Sequence, residues 1–413
     1  MNEVNQKAQE AKIAASKLAL VDSNSKNTAL LSIASALSNN KESILKANQS
    51  DVLKAKNKLN QTMIDRLTLN SERIDAMVEG IHQVISLNDP IGVILDQFDA
   101  AQNLHISKIS VPLGLIAIIY EARPNVTVDT AVLCLKSSNA IILRGSSDAL
   151  ETNKILVDIM NKALKSIDFI PNCIQLIEDP SRQSAIDLMH AHQFIDVLIP
   201  RGSAQLIQTV IEEAKVPILI TGTGNCHVFV DESADLTMAK QIVINAKTSR
   251  PSVCNAIEKL LIHEKVAPVF LKDITDELKS YHVDIRLCDN AHALLPEYAL
   301  ATPSDWPLEY LDLKIAIKIV ADLDEAIDHI QTYTSHHSEA IITQSKQNSE
   351  RFLKEIDAAA VYVNASTRFT DGFEFGFGAE LGISTQKLHA RGPIGLKELC
   401  SYKYCIRGIG QIR

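Results

Sequence analysis

The sequence lacks the features that mark several broad classes of protein. It has no extended block of Lys or Arg and a formal net charge of −9, which argues against a nucleic-acid partner. Its longest apolar runs, such as residues 115–120, are far too short to cross a membrane. Aromatic residues make up only 5% of the chain, which disfavours a main role in base stacking or sugar binding. With 46% hydrophobic and 22% charged residues, the composition is that of an ordinary soluble globular protein.

Cysteine pairs and metal-binding patterns are also missing. The seven cysteines are an odd number without any CxxC pair, and the segment MNEVNQKAQEAK has no apolar core like that of a signal peptide. We therefore expect a reduced, cytoplasmic protein. His336 and His337 are adjacent, and neighbouring side chains point in opposite directions on most backbones. No second ligand pair stands at metal spacing, so we predict no metal site.

The periodicity of the apolar residues predicts an α/β protein of two or three domains. Helical spacing dominates the first ninety residues, and two strand-like runs then flank a polar stretch, which suggests a hairpin. From Pro112 to Asn364, short apolar runs alternate with helical patterns, as in doubly wound parallel sheets. A last strand-like run needs a partner in that hairpin or in another subunit. The early helices are predicted at 8–20, 28–37, 41–58 and from Ser71 to about 88–90, the hairpin strands at 91–95 and 105–111, and the last strand at 399–406.

Polar turns follow four short apolar runs of the first α/β set, at residues 121–125, 144–147, 200–203 and 221–225. Ligands of open α/β sheets bind at the carboxyl ends of strands, where such turns gather. Glycine permits close backbone approach, Ser and Thr supply hydroxyls, and Arg supplies a fork for phosphate. Each turn alone is also typical of a tight connection, but four together indicate a dinucleotide or another phosphate ligand. No GxGxxG follows a strand, so the ordinary dinucleotide fingerprint is absent.

Two residues are candidates for covalent chemistry. Cys254 follows a polar loop that contains Arg250, and a nearby guanidinium with turn N–H groups favours the thiolate that attacks carbonyls. The alternative is that Cys254 is one more small buried hydrophobe. Asn125 follows Pro124 on a turn, where its amide can donate to a developing oxyanion. The alternative for Asn125 is a turn or helix N-cap residue.

Several stretches of the chain together carry a specific resemblance. They are VPLGLIAIIYEARPNVTVD, AIILRGSSDA, DVLIPRGSAQLI, ITGTGNCHVFVDESADL, NAKTSRPSVCNAIEKLLIH and EAIDHIQTYTSHHSEAIIT. Over nearly its whole length the chain resembles the gamma-glutamyl phosphate reductases of the aldehyde dehydrogenase superfamily. In the last stretch, Thr334 stands where a smaller residue is usual.

The resemblance implies an architecture. The fold class is α/β and aldehyde dehydrogenase-like, with two doubly wound parallel-sheet domains and a small β element for oligomerisation. A homodimer or higher homo-oligomer is implied. The implied domains are an NADP-binding domain at 1–90 and 113–226 with part of 365–395, a catalytic domain at 227–364, and oligomerisation strands at 91–112 and 396–413.

The resemblance also implies roles for individual residues. Cys254 matches the catalytic nucleophile, and Asn125 matches the amide of the oxyanion hole. Arg144 falls where a ribose-binding lysine is usual and Ser147 where NAD-specific relatives carry an acid, which together favour NADP(H) because a guanidinium suits a 2′-phosphate. Glu309 aligns with the glutamate that holds the nicotinamide ribose. The other implied cofactor positions are Gly145, Ser146, Arg201, Gly202, Ser203, Thr221 and Gly222, and the candidates for substrate binding are Arg123, Arg250, Asn364 and Arg391.

One departure from the superfamily pattern bears on the reaction. Hydrolytic aldehyde dehydrogenases carry a glutamate base on the turn that here reads Ile220 to Gly224, and Thr221 stands in its place. A hydroxyl cannot act as a base near neutral pH, so water would not be activated to cleave a thioester. This favours an acyl-phosphate reductase over a hydrolytic enzyme.

The implied reaction is the NADPH-dependent reduction of L-glutamyl 5-phosphate to L-glutamate 5-semialdehyde through a Cys254 thioester, the second step of proline biosynthesis. The lability of an acyl phosphate implies a contact with glutamate 5-kinase. Two alternatives remain at this stage. One is an NAD(P)-dependent semialdehyde dehydrogenase working in the oxidising direction, and the other is a non-catalytic binding or scaffold subunit.

Overall fold

The structure is a computed structural model that describes residues 2–100 and 103–412. The chain forms two compact units, which are described separately below. Unit 1 contains Met1–Thr221, Gly376–Leu381 and Ile394–Arg413. Unit 2 contains Gly222–Phe375 and Gly382–Pro393.

Unit 1 begins with five helices, four of which start at an Asn or Asp N-cap whose side chain accepts a backbone N–H of the first turn. The predicted early helices are confirmed. The seven-residue helix α4 was not predicted, because two turns are too short to show a period. The five are α1 (Glu3–Leu18), α2 (Ser23–Asn39), α3 (Lys41–Ala55), α4 (Gln61–Leu67) and α5 (Ser71–Ser86).

A small antiparallel sheet in unit 1 confirms the predicted hairpin and supplies the partner of the last strand. Its order is β1 (Ile94–Ala100), β2 (Leu104–Pro112) and β16 (Cys400–Arg407). Strand β1 runs through the polar stretch that we expected to be a loop. Six of its seven residues are exposed, so neither face required apolar side chains and no alternating signal was present.

The main sheet of unit 1 has four parallel strands in the order β5-β4-β3-β6. The chain passes from β3 to β4 to β5 and then places β6 on the other side of β3, which creates a switch point between β3 and β6. The predicted run 217–220 forms only an isolated bridge between Ile218 and Leu198, since Pro217 has no N–H for a ladder. The strands are β3 (Leu115–Tyr120), β4 (Ala140–Arg144), β5 (Ile174–Leu176) and β6 (Val197–Arg201), and the helices are α6 (Pro124–Lys136), α7 (Leu150–Ser166), α8 (Arg182–His190) and α9 (Ala204–Glu213).

Unit 2 is built on a seven-stranded parallel sheet in the order β10-β9-β11-β8-β7-β12-β13. The strands are β7 (Cys226–Val230), β8 (Ile257–His263), β9 (Asp284–Leu287), β10 (Ala299–Leu300), β11 (Lys314–Val320), β12 (Ser338–Ile342) and β13 (Ala360–Val363). The helices are α10 (Leu236–Thr248), α11 (Ala267–Ser280), α12 (Asp289–Leu294), α13 (Leu323–Tyr333) and α14 (Lys346–Glu355), and a short pair β14 (Ile383–Ser384) and β15 (Gly392–Pro393) completes the unit. The predicted α/β class with two doubly wound parallel sheets is confirmed.

Candidate active site

At the switch point of unit 1, a carboxylate occupies the turn that follows β6. The backbone N–H and hydroxyl of Ser203 donate to the two oxygens of Glu121 at 2.7 and 3.0 Å. A Cβ at Gly202 would lie 2.6 Å from a Glu121 oxygen. Glu121 thus takes the donors at the start of α9 that the sequence had suggested for a phosphate. No local signal could have revealed this, because 82 residues separate the two partners.

The turn after β4 contains buried polar atoms that could bind a ligand. Arg144 donates through Nη2 to two carbonyls of the β5–α8 loop, each at 2.9 Å. In the described part of the chain, Arg144 Nε, Ser146 Oγ and Asn153 Nδ2 are buried without a hydrogen-bond partner. A Cβ at Gly145 would lie 2.2 Å from Asn153 Nδ2, so only glycine lets the Asn153 amide pack against this turn. Ser147 is exposed beside it. Buried polar atoms without partners next to an exposed serine fit a polar ligand such as a ribose or a phosphate.

Asn125 lies in the first turn of α6, and its side chain is exposed. Its Nδ2 donates to Asp129 Oδ2 at 2.9 Å, which orients the amide. Burial raises the pKa of Asp129 to about 6, and the hydrogen bond from Asn125 lowers it in part. The N-cap of α6 is Arg123, so the alternative of Asn125 as the helix N-cap is wrong.

Thr221 ends the first segment of unit 1 and is buried. Its hydroxyl donates to the carbonyl of Pro200 at 3.0 Å. The proton of this hydroxyl is therefore held by the backbone of β6, and the position carries no carboxylate.

In unit 2, Cys254 lies half-buried on the turn between α10 and β8, at the amino-terminal edge of the sheet. The backbone of Gly224, just before β7, packs directly against it, because a Cβ there would lie 1.5 Å from the Cys254 carbonyl oxygen. The thiol of Cys226 donates to the same carbonyl at 3.2 Å. Burial raises the pKa of the Cys226 thiol, which keeps this second cysteine protonated. Cys254 is thus not a fully buried hydrophobe. The Gly224 backbone and the Cys226 thiol both contact its carbonyl and so fix the turn.

Glu309 is tied to the same segment. The N–H of Gly224 donates to Glu309 Oε1 at 2.6 Å. Burial raises the pKa of Glu309, and the charges of Lys259 and Lys247 oppose this rise. The buried Lys259 also donates to the Leu308 carbonyl at 2.8 Å and so fixes the loop that carries Glu309.

Arg368, which the sequence reasoning missed, lies against the loop that carries Cys254. It sits in a 3₁₀ helix, Thr367–Phe369. Its Nε donates to Ser249 Oγ at 3.0 Å, and its Nη1 donates to Asn255 Oδ1. Asn255, the residue after Cys254, donates in turn to the Thr370 carbonyl at 2.9 Å. A single arginine outside any motif gave no signal of this contact.

The other candidates for substrate binding are placed differently. Asn364 has a φ of 55° and exchanges hydrogen bonds with Thr343 at 2.9 Å, at the carboxyl ends of β12 and β13. The structure therefore places it at the opposite edge of the sheet from Cys254, and the expected proximity is wrong. Arg391 pairs with Asp357 at 2.7 Å. Arg250 is exposed in unit 2 and Arg123 is exposed in unit 1.

The adjacent histidines diverge, as expected for neighbouring residues. His336 Nδ1 contacts the Asp357 carbonyl at 2.6 Å, whereas the buried His337 contacts Ser338 Oγ at 2.8 Å. Within residues 2–100 and 103–412, no group of three or more His, Cys, Asp or Glu residues could hold a metal ion. None of the described helices has the length and apolar content to span a bilayer.

Comparison with known proteins places this architecture in a large family. The aldehyde dehydrogenase family matches residues 1–292. A gamma-glutamyl phosphate reductase of Carboxydothermus hydrogenoformans is 54% identical over 414 residues, and one of Listeria monocytogenes is 52% identical, with 100% of each chain covered in both cases. The crystal structure of the Thermotoga maritima gamma-glutamyl phosphate reductase matches with a TM-score of 0.98 and 48% identity, covering 100% of both chains. An acetylating aldehyde dehydrogenase of Geobacillus thermoglucosidasius, 18% identical with a TM-score of 0.68, shares the fold.

Proposed function

The chain belongs to the gamma-glutamyl phosphate reductases of the aldehyde dehydrogenase family, and we propose that it reduces L-glutamyl 5-phosphate to L-glutamate 5-semialdehyde with release of phosphate. This is the second step of proline biosynthesis from glutamate. The observation that carries the proposal is the threonine at position 221, where hydrolytic relatives carry a glutamate base, in a chain whose Cys254 is half-buried on a backbone-packed turn. A chain without that glutamate suits a thioester that is reduced by hydride and not cleaved by water.

The Cys254 thiolate attacks the acyl carbon, the C–S bond forms, and the bond to the phosphate oxygen breaks with its electron pair on the phosphate. Covalent catalysis divides one difficult displacement into two easier steps. Asn125 and the N–H of Cys254 donate to the oxyanion in each step. Asp129 accepts one N–H of the Asn125 amide and so keeps its orientation. After reduction, the thiohemiacetal expels the thiolate and releases the aldehyde.

The family uses a nicotinamide cofactor, and we propose NADPH, which supplies the hydride when bound. Arg144, with its buried and unpartnered Nε, and the exposed Ser147 would receive the ribose 2′-phosphate. Gly145 and Ser146 would admit the adenosine ribose, and Glu309 would bind the nicotinamide ribose hydroxyls. Further contacts fall to Arg201, Thr221 and Gly222. The N–H and hydroxyl of Ser203 are already bonded to Glu121, which also packs against Gly202, so these two positions hold the turn and not the cofactor.

The threonine at position 221 accounts for slow hydrolysis of the thioester. A neutral hydroxyl is too weak a base to take a proton from water near neutral pH, and this one donates its own proton to Pro200. Hydrolysis is therefore slow, and the acyl group is released by hydride in one direction and by phosphate in the other.

The remaining assignments also stay proposals. We assign cofactor binding to 1–90 and 113–226, catalysis to 227–364, and homo-oligomerisation to the strands within 91–112 and 396–413. Arg123 and Arg391 remain candidates for the substrate's carboxylate. A cytoplasmic location and a contact with glutamate 5-kinase fit an enzyme whose substrate is a labile acyl phosphate.

The direct test is the reverse reaction. The enzyme is supplied with glutamate 5-semialdehyde and NADP, with and without inorganic phosphate, and NADPH formation is followed by absorbance. Strict dependence on phosphate is the expected result. Sustained turnover without phosphate would mean that water releases the acyl group, and a hydrolytic dehydrogenase would replace the present proposal.

A further inference from the structure

Two arginines flank the nucleophile in unit 2, although only one of them is near it in sequence. Arg250 lies four residues before Cys254, on the exposed side of the same loop. Arg368 reaches that loop from the 3₁₀ helix after β13 and bonds to both of its ends, at Ser249 and Asn255. The guanidinium of Arg368 therefore spans the segment that carries the thiol.

The negative groups around Arg368 only partly offset the positive charges of Arg368 and Arg250. Burial lowers the pKa of Arg368, and the repulsion from Arg250 lowers it further. The negative groups that oppose this shift are Asp371, Cys254 and Glu374, and they do not reverse it. Arg250 stands on the loop of Cys254 and Arg368 bonds to the ends of that loop. An anion with several oxygens that binds beside both cations stabilises them, and arginine forks match phosphate oxygens in geometry.

We infer that Arg368 and Arg250 form the binding site for the phosphate of an acyl-phosphate substrate, and for inorganic phosphate in the reverse direction. The inference rests on the acyl-phosphate chemistry proposed above. In the forward direction, the site receives the negative charge that grows on the phosphate as its bond to the acyl carbon breaks. In the reverse direction, it holds a phosphate oxygen against the thioester, where the C–O bond forms and the thiolate leaves with the C–S electron pair.

A purely structural role for Arg368 predicts a different behaviour. If the side chain only clamped the loop through Ser249 and Asn255, its loss would disturb formation of the thioester and its cleavage by phosphate alike. A phosphate site predicts that cleavage by phosphate suffers while thioester formation from the aldehyde, which needs no phosphate, continues.

The test separates these two half-reactions in Arg368→Gln. Without phosphate, the first turnover of semialdehyde and NADP is measured as a burst of NADPH. With phosphate, the steady-state KM for inorganic phosphate is measured. We expect the burst amplitude to stay within about twofold of the unmodified enzyme and the KM for phosphate to rise about 10- to 100-fold, as for the loss of a charged hydrogen-bond pair. The KM for NADP should be unchanged.

Three further variants complete the experiment. Arg368→Lys should recover part of the phosphate affinity, since the charge remains but the fork is lost. Arg250→Gln, at an exposed position that does not endanger folding, should also raise the KM for phosphate. Arg351→Gln, a matched change on the surface of α14 in the same unit, should leave it unaltered. An unchanged KM for phosphate in both Arg368→Gln and Arg250→Gln, or an equal loss of burst and turnover, overturns the inference. Phosphate-independent turnover of the unmodified enzyme would instead refute the proposed function, and the inference with it.

Discussion

Asn125 has a side chain whose orientation is set within a single helical turn. Its Nδ2 donates to Asp129, four residues along α6, and the exposed amide projects from the first turn of that helix. One N–H is used in this bond, and an amide nitrogen has two. The second is the group that we assign to the oxyanion.

Asn125→Ala tests this assignment. We expect the turnover number to fall about 10²- to 10³-fold, the usual effect of removing one oxyanion donor. The KM for NADPH should stay within about twofold, because the amide acts on the reacting carbonyl. Steady-state kinetics of the purified variant measure both values. Asn24→Ala, at an exposed position on α2, is the control and should behave as the unmodified enzyme. An unaltered turnover number for Asn125→Ala would remove Asn125 from the mechanism.

Between elements, the close contact of the segment before β7 with the turn before β8 fixes the position of Cys254. Gly224 is required there for space, since a Cβ would meet the carbonyl oxygen of Cys254 at 1.5 Å and its Cα at 2.6 Å. Both obstacles are backbone atoms, so the two segments must separate to accept any side chain.

Gly224→Ala should therefore lower kcat/KM by about 10²-fold, as expected when a reacting group moves by roughly 1 Å. The matched change Gly80→Ala meets nothing within 4 Å and lies inside α5. It should keep full activity and stabilise the protein by about 0.5–1 kcal/mol, measured by denaturant unfolding. Full activity of Gly224→Ala would show that the close approach does not position Cys254.

Helix α13 places His329 in a cluster of aromatic rings, where its burial makes the stability of the protein depend on pH. The ring packs against Trp306 and Tyr333 at centroid distances of 5.2 and 4.8 Å. Burial, with a smaller effect of His227, lowers the pKa of His329 to about 2. Within the described residues its Nε2 is buried without a partner. The folded protein therefore keeps this ring neutral where the unfolded chain protonates it.

As the pH falls below 6.5, the unfolded state gains a proton at His329 that the folded state does not take up until about pH 2. Unfolding is favoured in this window by about 1.4 kcal/mol per pH unit from this group. His329→Phe keeps the ring packing and should reduce the slope of unfolding free energy against pH by about that amount between pH 6 and 4. Urea unfolding at several pH values measures the slope. His82→Phe, at an exposed position on α5, should leave it unchanged. Equal slopes for His329→Phe and the unmodified protein would contradict the buried neutral histidine.

The elements that the sequence predicted correctly are those with a strong local pattern. The buried strand β3 is apolar on both faces, and apolar residues recur at helical spacing in the early helices. Strand β1 was assigned only in part, because its side chains are exposed and left no alternation to read.

The candidate site shows the same limit. Cys254 and the glycine turns were visible as motifs, whereas the contacts of Arg368 with Ser249 and Asn255 span more than a hundred residues. The occupation of the α9 start by Glu121 likewise depends on a contact between distant strands. Neither has a spacing or a composition that the sequence could display. Asn364 was misplaced for the converse reason, since a turn residue gives no indication of which edge of the sheet it occupies.

At the scale of the whole molecule, the small sheet exposes an apolar surface. Its outer strands β1 and β16 carry Phe98, Tyr402, Tyr404 and Ile406, and each of these residues is 45–59% exposed. Exposed edge strands with apolar side chains tend to pair with another chain. We therefore propose that a second copy of the protein covers this sheet.

Ile406→Asp should weaken the homo-oligomer. In a two-fold interface each substitution counts twice, and the loss of two buried apolar side chains raises the dissociation constant by about 10²- to 10³-fold. Sedimentation velocity over a range of concentrations measures the change. Ile13→Asp, 55% exposed on α1, serves as the control with unchanged association. A sedimentation profile of Ile406→Asp identical to that of the unmodified protein would place the interface elsewhere.

We propose that Cys254 carries a thioester that water does not cleave. The most direct test is rapid mixing of the enzyme with glutamate 5-semialdehyde and NADP in the absence of phosphate. We expect a burst of one NADPH per Cys254, almost no turnover after it, steady turnover once phosphate is added, and no burst in Cys254→Ser. The matched variant Cys405→Ser, on the small sheet, should show the full burst. Continuous NADPH formation without phosphate would mean that water cleaves the thioester, and a burst that survives in Cys254→Ser would mean that another residue carries it.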